Sequence, residues 1–528
     1  MGAEPVRWEA PGPGRWESAL EEMPTPMCRL LCELLPCTAH GWSIGSRRYG
    51  LLPNDARVGS VNGWFFFTRG EPGPVDLEEL ERTAAETLAT KRWRGDLRRW
   101  REEVRPSVVA TSRELVRVDL GRLTDGELAQ HVQQAIDHFT VAAPLQLASN
   151  ERPAAVGALL LAARAWGVDP RALLEALAGS APATSSAELV LDRIAAALRA
   201  AGRTDPPDLD SIRDVGGDAA AALDELLTDY GWRVFDIDLL GPTLAERPEA
   251  VLAAVRAALA GWGPRSRPDQ RALAALRAAV PERHHGELDE LAVDARAAYG
   301  VNDEGTVVLV SMPLGLVRRA LLEVGRRLHD RGRVHAAADV FEAESGELAE
   351  LLGGAGPSAD ELSDRTRFRA EMALVVPPRT LGDAPPPAPP VELPQHARRL
   401  AEIFAAFNRA ATAPASDPRR ARVSVGSEVV RGRAVVAVEP IDAVLRLAAG
   451  DVLVVVTTTA AYNTIFPMAA AVAVQEGHVM SHAAVLAREL GLPAVIGVPD
   501  LLTRVADGDI VEVDPGAGTI RVVEPRAG

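Results

Sequence analysis

The run Val472–Val498 contains the residues whose types and spacing point most directly to chemistry, VAVQEGHVMSHAAVLARELGLPAVIGV. Ser481 is a favourable N-cap and Gly491 a favourable residue after a helix C-terminus, so the spacing predicts a helix beginning at His482. The first turn of a helix offers free backbone N–H groups and the positive end of the helix dipole, which favour phosphoryl groups. A neutral imidazole placed there can attack phosphorus and pass the group onward. An isolated histidine at a helix start is, however, more often a cap or a surface residue.

Hydroxyl groups precede this helix in the chain. The apolar run Asp451–Thr457, DVLVVVT, is typical of a short buried strand. It ends in Thr457, Thr458 and Thr459, which are donors for phosphate oxygens. We therefore predict a phosphate-binding environment around His482.

The same residues resemble the phosphohistidine swivelling domain of phosphoenolpyruvate-utilizing enzymes. The resemblance rests on SHAAVLARELGLPAVIGV, with GDVLVVVTTT before it, DGDIVEVDPGAGTI after it, and VSVGSEVVRGRAVV as the domain's opening strands. It implies that His482 carries a phosphoryl group, with Ser481 and Arg488 at motif positions around it. The family usually has Gly-Gly where this chain has Gly477 and His478. His478 would therefore either crowd the phosphate or assist as a second imidazole.

Four segments must position these groups. Asp383–Pro394, DAPPPAPPVELP, favours an extended, semi-rigid conformation. It separates a mainly helical sequence from one rich in short strands. We predict a mainly helical substrate-binding region over residues 1–380, a proline-rich tether over 381–395, a connecting helix over 396–420 and the swivelling domain over 421–525. The fold class is thus multidomain α+β, with the swivelling domain a C-terminal α/β unit of β-β-α type.

The first region resembles the substrate-binding region of rifampicin phosphotransferase-like proteins. The matching runs are GPGRWESALEEMPTPMCRL, YGLLPNDARVGSVNGWFFFTR, YGWRVFDIDLLGPTLAERPEAVL and GRRLHDRGRVHAAADVFEAESGELAELL. Two departures imply a different acceptor. The family's Gly-His-Arg appears as Gly231-Trp232-Arg233, and its His-Phe-Pro-x-Pro appears as Glu22-Met23-Pro24-Thr25-Pro26.

Candidate acceptor-binding residues each have a structural alternative. Arg233 and Asp236 can bind phosphate or orient a hydroxyl, or else form a structural ion pair. Trp232 and Trp64 can line an apolar pocket, although aromatic residues in strands such as Val58–Thr68 usually lie in a core. Arg318 belongs to an arginine-rich helix that either binds phosphoryl groups or forms a solvated face.

Composition limits the partners and the compartment. The net charge of −16 over 528 residues disfavours nucleic acid and anionic membranes. No apolar stretch reaches the roughly 20 residues that a membrane span needs, and no secretory leader is visible. Three cysteines with local spacing, Cys28, Cys32 and Cys37, fit a reducing cytoplasm. They could form a zinc site with His40, but the helical periodicity of MCRLLCELL favours packing, so we predict no metal site.

Lys91 is the only lysine among 57 basic residues. There is no Gly-Lys-Ser/Thr phosphate loop and no counterpart of the ATP-grasp domain that the resemblance would include. We therefore expect no cofactor bound within this chain, with ATP and Mg²⁺ handled by a separate ATP-grasp protein. The leading hypothesis is a phosphotransferase component that passes a phosphoryl group from His482 to a hydroxyl of a small molecule. That phosphate either stays on the product or serves as a leaving group. The alternative is a non-catalytic binding or regulatory protein with a silent swivelling domain.

Overall fold

A computed structural model describes residues 6–20, 23–53, 55–70, 75–181, 186–234, 237–261, 270–383, 391–412, 421–438, 440–458, 462–463 and 465–526. Its helices in the first region are α1 (Arg29–Leu34), α2 (His40–Tyr49), α3 (Leu77–Thr90), α4 (Arg92–Arg99), α5 (Arg105–Arg117), α6 (Asp125–Ala148), α7 (Glu151–Trp166), α8 (Pro170–Ala176), α9 (Ser186–Ala200), α10 (Leu209–Arg213), α11 (Gly217–Asp229), α12 (Pro248–Leu259), α13 (Gln270–Ala279), α14 (His285–Ala298), α15 (Val301–Gly305), α16 (Met312–Asp330), α17 (Ser345–Leu352) and α18 (Ala359–Met372). The later helices are α19 (Gln395–Thr412), α20 (Pro440–Arg446), α21 (His482–Leu490) and α22 (Leu501–Arg504). The strands are β1 (Trp16–Ser18), β2 (Arg57–Val61), β3 (Trp64–Thr68), β4 (Thr380–Leu381), β5 (Val423–Val425), β6 (Val430–Val436), β7 (Val452–Val455), β8 (Ala471–Val474), β9 (Ala494–Ile496), β10 (Ile510–Asp514) and β11 (Thr519–Glu524).

The helical region is centred on α6, α7 and the segment from α15 to α16. Helix α6 begins with a capping box in which Thr124 and Glu127 satisfy each other's backbone N–H groups. Helices α15 and α16 are joined by a π-helical turn over Thr306–Ser311. Such turns are frequent at functional sites, because the extra residue changes the direction in which neighbouring side chains point.

Close approaches of the backbone fix how these helices pack. Helix α19 crosses α7 at Gly157, where a Cβ atom would lie 2.4 Å from the carbonyl oxygen of Ile403. The periodic sequence run 77–104 is broken at Lys91, whose φ of 49° is left-handed. The ammonium group of Lys91 pairs with Glu290 on α14, so this lysine serves the packing of the helical region.

A small antiparallel sheet with strand order β2-β3-β1-β4 lies beside the helices. Its core contains Trp16, Trp64, Phe66 and Leu381. The strand predicted over Val58–Thr68 is a hairpin, β2 paired with β3.

The C-terminal sheet has the order β11-β10-β6-β7-β8-β9-β5. Strands β6 to β9 are parallel to one another, and the fully buried sequences VLVV and AVAV of β7 and β8 suit strands covered on both faces. One face is covered by α20 and α21, and β10 and β11 close the sheet as an antiparallel pair. The predicted multidomain α+β fold is confirmed.

The two parts are in contact. Residues of α9, α11 and α12 share one apolar cluster with α20, α21 and the strands beneath them. Helix α19 overlaps the range 396–420 in which we predict a connecting helix, while 384–390 of the predicted tether and 413–420 lie outside the described residues. Among the residues that the structure describes, no helix is long and apolar enough to cross a membrane.

Candidate active site

His482 is the first residue of α21, as the sequence predicts. The preceding loop reaches it through Gly477, whose φ of 144° favours glycine. Ser481 has the extended backbone of an N-cap, but its side chain makes no capping hydrogen bond. The Ser481 hydroxyl oxygen is buried without a hydrogen-bond partner, which is unusual for a buried polar atom. It is therefore available to an oxyanion or hydroxyl group brought to His482.

Both ring nitrogens of His482 contact polar groups of the same domain. Nε2 lies 2.6 Å from Oδ1 of Asn463, and Nδ1 lies 3.4 Å from the hydroxyl of Thr458. Burial lowers the pKa of the imidazole, with the positive charge of Arg152 acting in the same direction and Asp303 opposing it. A lowered pKa keeps the ring neutral near pH 7, which is the form that can attack phosphorus.

The helical region contributes a charged pair to this place. Arg152 in the first turn of α7 and Asp303 in α15 approach to 3.5 Å between Nη1 and Oδ2, and their side chains are 10% and 7% exposed. Those two atoms have no hydrogen-bond partner. The Arg152 guanidinium also lies over the ring of Phe407, 5.7 Å from its centroid. Unused hydrogen-bonding capacity on a buried ion pair beside His482 is suited to a bound phosphoryl group and hydroxyl.

His478 and the threonines after β7 are also predicted to surround the phosphate. Thr457 and Thr458 follow β7, and Thr459 lies outside the described residues. His478 accepts a hydrogen bond at Nδ1 from the backbone N–H of Met480, at 3.2 Å. Burial, with Arg152 and Arg422, lowers the pKa of His478 to about 4, so this ring is neutral.

Arg488 lies in the last turn of α21. Its guanidinium donates to the carbonyl of Val479 at 2.8 Å and to the hydroxyl of Tyr299 on the helical region at 3.4 Å. Arg488 thus holds the loop before His482 and contacts the neighbouring region.

Glu489 is a second contact between α21 and the helical region. Its carboxylate accepts the backbone N–H of Ser180 at 3.1 Å. Burial raises the pKa of Glu489 to about 7, against the opposing effect of the backbone N–H groups of Ala181, Ser180 and Gly179 and the charge of Arg296.

The predicted acceptor-binding residues are dispersed. Arg233 lines a cavity in the helical region, described below, and Asp236 lies outside the described residues. Arg318 is buried, donates to Glu246 and to the carbonyl of Leu239, and so has a structural role. Trp64 is buried in the small sheet, its indole N–H donating to the carbonyl of Met372.

Trp232 packs against the helical core, with Arg319 over its ring. Its carbonyl oxygen would lie 1.5 Å from a Cβ atom at Gly315 of α16. The structure therefore gives Trp232 a packing role against α16.

Three residues of the site, Asn463, Arg152 and Asp303, are absent from the sequence predictions. Asn463 follows β7, and the carboxyl ends of neighbouring parallel strands meet at one edge, so its position could have been inferred. Arg152 and Asp303 are more than 150 residues apart and reach His482 only through the packing of two regions. No local sequence signal marks them.

No group of three or more His, Cys, Asp or Glu side chains within the described parts of the chain is placed to hold a metal ion. Cys28, Cys32 and Cys37 are free thiols.

Comparison with known proteins identifies two regions. Residues 447–518 match the family model of the PEP-utilising enzyme mobile domain, and residues 149–300 match that of the rifampicin phosphotransferase fourth domain. The first region contains His482 and Asn463, and the second contains Arg152 and Arg233.

Individual relatives agree with these matches. A rifampicin phosphotransferase of Streptomyces sviceus is 28% identical over 349 residues, covering 61% of this chain and 37% of the relative. An uncharacterized protein of Mycobacterium tuberculosis is 36% identical over 213 residues, covering 39% of this chain and 22% of the relative. A phosphoenolpyruvate synthase of Aeropyrum pernix is 39% identical over 92 residues, covering 17% and 11%.

The chain thus spans well under half of the length of each of these relatives. The resemblance stated from the motifs is confirmed: the chain is similar to the mobile domain of PEP-utilising enzymes and to rifampicin phosphotransferases.

Proposed function

We propose that this protein is a phosphotransferase component that carries a phosphoryl group on His482 and delivers it to a hydroxyl of a small molecule. The observation that carries the proposal is the meeting of His482 with the buried, unsatisfied pair of Arg152 and Asp303. Ser481, which precedes His482 in the chain, adds a hydroxyl without a hydrogen-bond partner. The likeness of the two regions to a mobile domain and to rifampicin phosphotransferase supports the same chemistry.

In the proposed transfer, an acceptor oxygen bonds to phosphorus on the side opposite the imidazole while the N–P bond breaks. Asp303 takes the hydroxyl proton. The electron pair of the N–P bond stays on the ring nitrogen. The proton then passes from Asp303 to the ring, which becomes neutral imidazole again. Arg152 donates hydrogen bonds to the phosphoryl oxygens and so offsets their charge in the buried site.

The source of the phosphoryl group is part of the proposal. We assign ATP and Mg²⁺ to a separate ATP-grasp protein that loads His482 while the swivelling domain is away from the helical region. A cytoplasmic setting is part of the same proposal. The phosphate on the acceptor either remains in the product or leaves in an elimination or condensation in the same site.

Loading is tested without the partner by treating the full chain with phosphoramidate, a chemical donor that phosphorylates histidine. We expect one phosphate that is acid-labile and base-stable on the wild type, and its loss in His482→Ala. His478→Ala is the matched control and should still be loaded. Equal phosphate on wild type and His482→Ala would contradict the carrier role.

Loading of His482 by the partner is tested by incubating the full chain with γ- and β-labelled ATP and a candidate ATP-grasp protein. We expect acid-labile label on His482 only when both proteins are present. The non-catalytic alternative predicts no enzymatic label with any partner.

A further inference from the structure

A cavity of about 300 Å³ lies in the helical region between α5, the end of α11 and the π-helical turn before α16. Such a volume is at the lower end of small-molecule sites. Apolar wall residues come from α5 and from the segment 307–312: Pro106, Val109, Ala110, Val307, Val308 and Met312. The cavity is thus of small-molecule size, with an apolar part of its wall beside a polar and charged part.

Three arginines face this cavity, and two of them are neutralised. Arg105 donates to Glu304 at 2.5 Å, and Arg113 donates to both oxygens of Asp229 at 2.9 and 2.6 Å. Glu304 also accepts the indole N–H of Trp100 at 3.0 Å. These carboxylates therefore have partners of their own.

Arg233 is the third arginine, and none of the carboxylates that the structure describes forms an ion pair with its guanidinium. It lies 4.0 Å from the centroid of the Tyr230 ring, and its buried Nε has no hydrogen-bond partner. Burial lowers the pKa of Arg233 to about 10, so it remains charged at neutral pH. A partly buried cation whose neighbouring carboxylates are paired with other arginines gains from a ligand that supplies negative charge.

A hydroxyl of fixed orientation completes the polar groups. Ser112 lines the cavity, and its Oγ lies 2.8 Å from Nε2 of His138. Together with the Arg233 fork it offers the few convergent polar groups typical of a site that orients an apolar ligand by one charged end.

We infer that this cavity binds the oxyanion end, a carboxylate or a phosphate, of the small molecule that accepts the phosphoryl group. The acceptor role rests on the proposed function. The cavity is linked to the proposed carrier site by the short helix α15, on which Glu304 of the cavity wall is next to Asp303. The binding of the oxyanion itself rests only on the cavity and Arg233. The rest of the ligand must fit within about 300 Å³, against the apolar wall from α5 and the segment 307–312.

Isothermal calorimetry on the full chain tests this inference with benzoate, phenyl phosphate and the neutral analogue benzyl alcohol. We expect binding of at least one of the two anions, and at least tenfold weaker binding of benzyl alcohol. Arg233→Gln should weaken anion binding at least tenfold, and Arg326→Gln, a change of an exposed arginine on α16, should leave it unchanged.

Thermal unfolding separates a binding role from a structural one. Because Arg233 has no ion pair within the described residues, we expect Arg233→Gln to unfold at the same temperature as the wild type or higher. The inference is overturned if neither anion binds, if benzyl alcohol binds as tightly, or if Arg233→Gln binds as the wild type does. Loading of His482 by phosphoramidate is independent of Arg233, so failure here would leave the carrier role standing.

Discussion

At the scale of single residues, the charges around His482 affect the pKa of its imidazole and, in the proposed function, its readiness to accept a phosphoryl group. Burial favours the neutral ring, Arg152 favours it further, and Asp303 opposes it. The two charges therefore act in opposite directions on the pKa of the imidazole, and in the proposed transfer one serves the phosphoryl group and the other the acceptor hydroxyl. A single charge at this place would shift the pKa of His482 in one direction only.

Removing one charge should move the pKa of His482 in a defined direction. In Arg152→Gln the pKa of His482 should rise toward 6.5, and in Asp303→Asn it should fall further, because each change leaves the opposite charge unbalanced. NMR titration of the imidazole carbons with isotope-labelled histidine measures this, with Arg326→Gln as the control. Shifts of the same sign in both variants would contradict the arrangement. The double variant should titrate between the two single ones and avoid an unpaired buried charge.

At the scale of elements, the sequence predicts what local rules decide. The first turn at His482, the left-handed Gly491 and the buried strand β7 follow from capping residues and apolar patterning, whereas Val58–Thr68, predicted as a strand, is the hairpin of β2 and β3. The periodic run 77–104 does not predict its break, because the contact of Lys91 with α14 comes from tertiary packing. Arg152 and Asp303 escape prediction for the same reason.

The crossing of α7 and α19 should be sensitive to one methyl group. Gly157→Ala places a Cβ atom against the carbonyl of Ile403 and should lower the free energy of unfolding by about 1–3 kcal/mol. Gly126→Ala on the exposed start of α6 meets no atom within 4 Å and should be neutral or stabilising. Urea unfolding of both variants measures the difference. A Gly157→Ala protein as stable as the wild type would mean that the helices are not in close contact.

At the scale of the whole molecule, the C-terminal domain lies against the helical region, and residues at both ends of α21 interact with groups of that region. The charges of Arg152 and Asp303 act on His482 at the first turn, and Glu489 accepts backbone N–H groups of the loop after α8 at the last turn. A carboxyl group with a pKa near 7 in this contact couples docking to pH.

The sign of that coupling follows from the raised pKa of Glu489. A raised pKa in the folded state means that its stabilising contribution is complete below about pH 4.5 and is lost as pH rises to about 7. We expect Glu489→Gln, which stays neutral, to gain about 1–2 kcal/mol relative to the wild type between pH 5 and pH 8, after allowance for partial exposure. Urea midpoints of both proteins at the two pH values provide the measurement. Asp364→Asn, at an exposed carboxylate, is the control, and parallel pH profiles for Glu489→Gln and wild type would refute the coupling.

The two hydrogen bonds to the ring of His482 have a consequence for direction. A phosphoryl group on either nitrogen must displace Asn463 or Thr458, whereas an emptied ring regains both contacts. The unphosphorylated form of His482 would therefore be better accommodated in this site than the phosphorylated form. Transfer would then be favoured in one direction. The phosphorylated ring gains hydrogen bonds by giving up its phosphoryl group, and the unphosphorylated ring, with both hydrogen bonds made, disfavours the reverse transfer until the domain leaves to be loaded again.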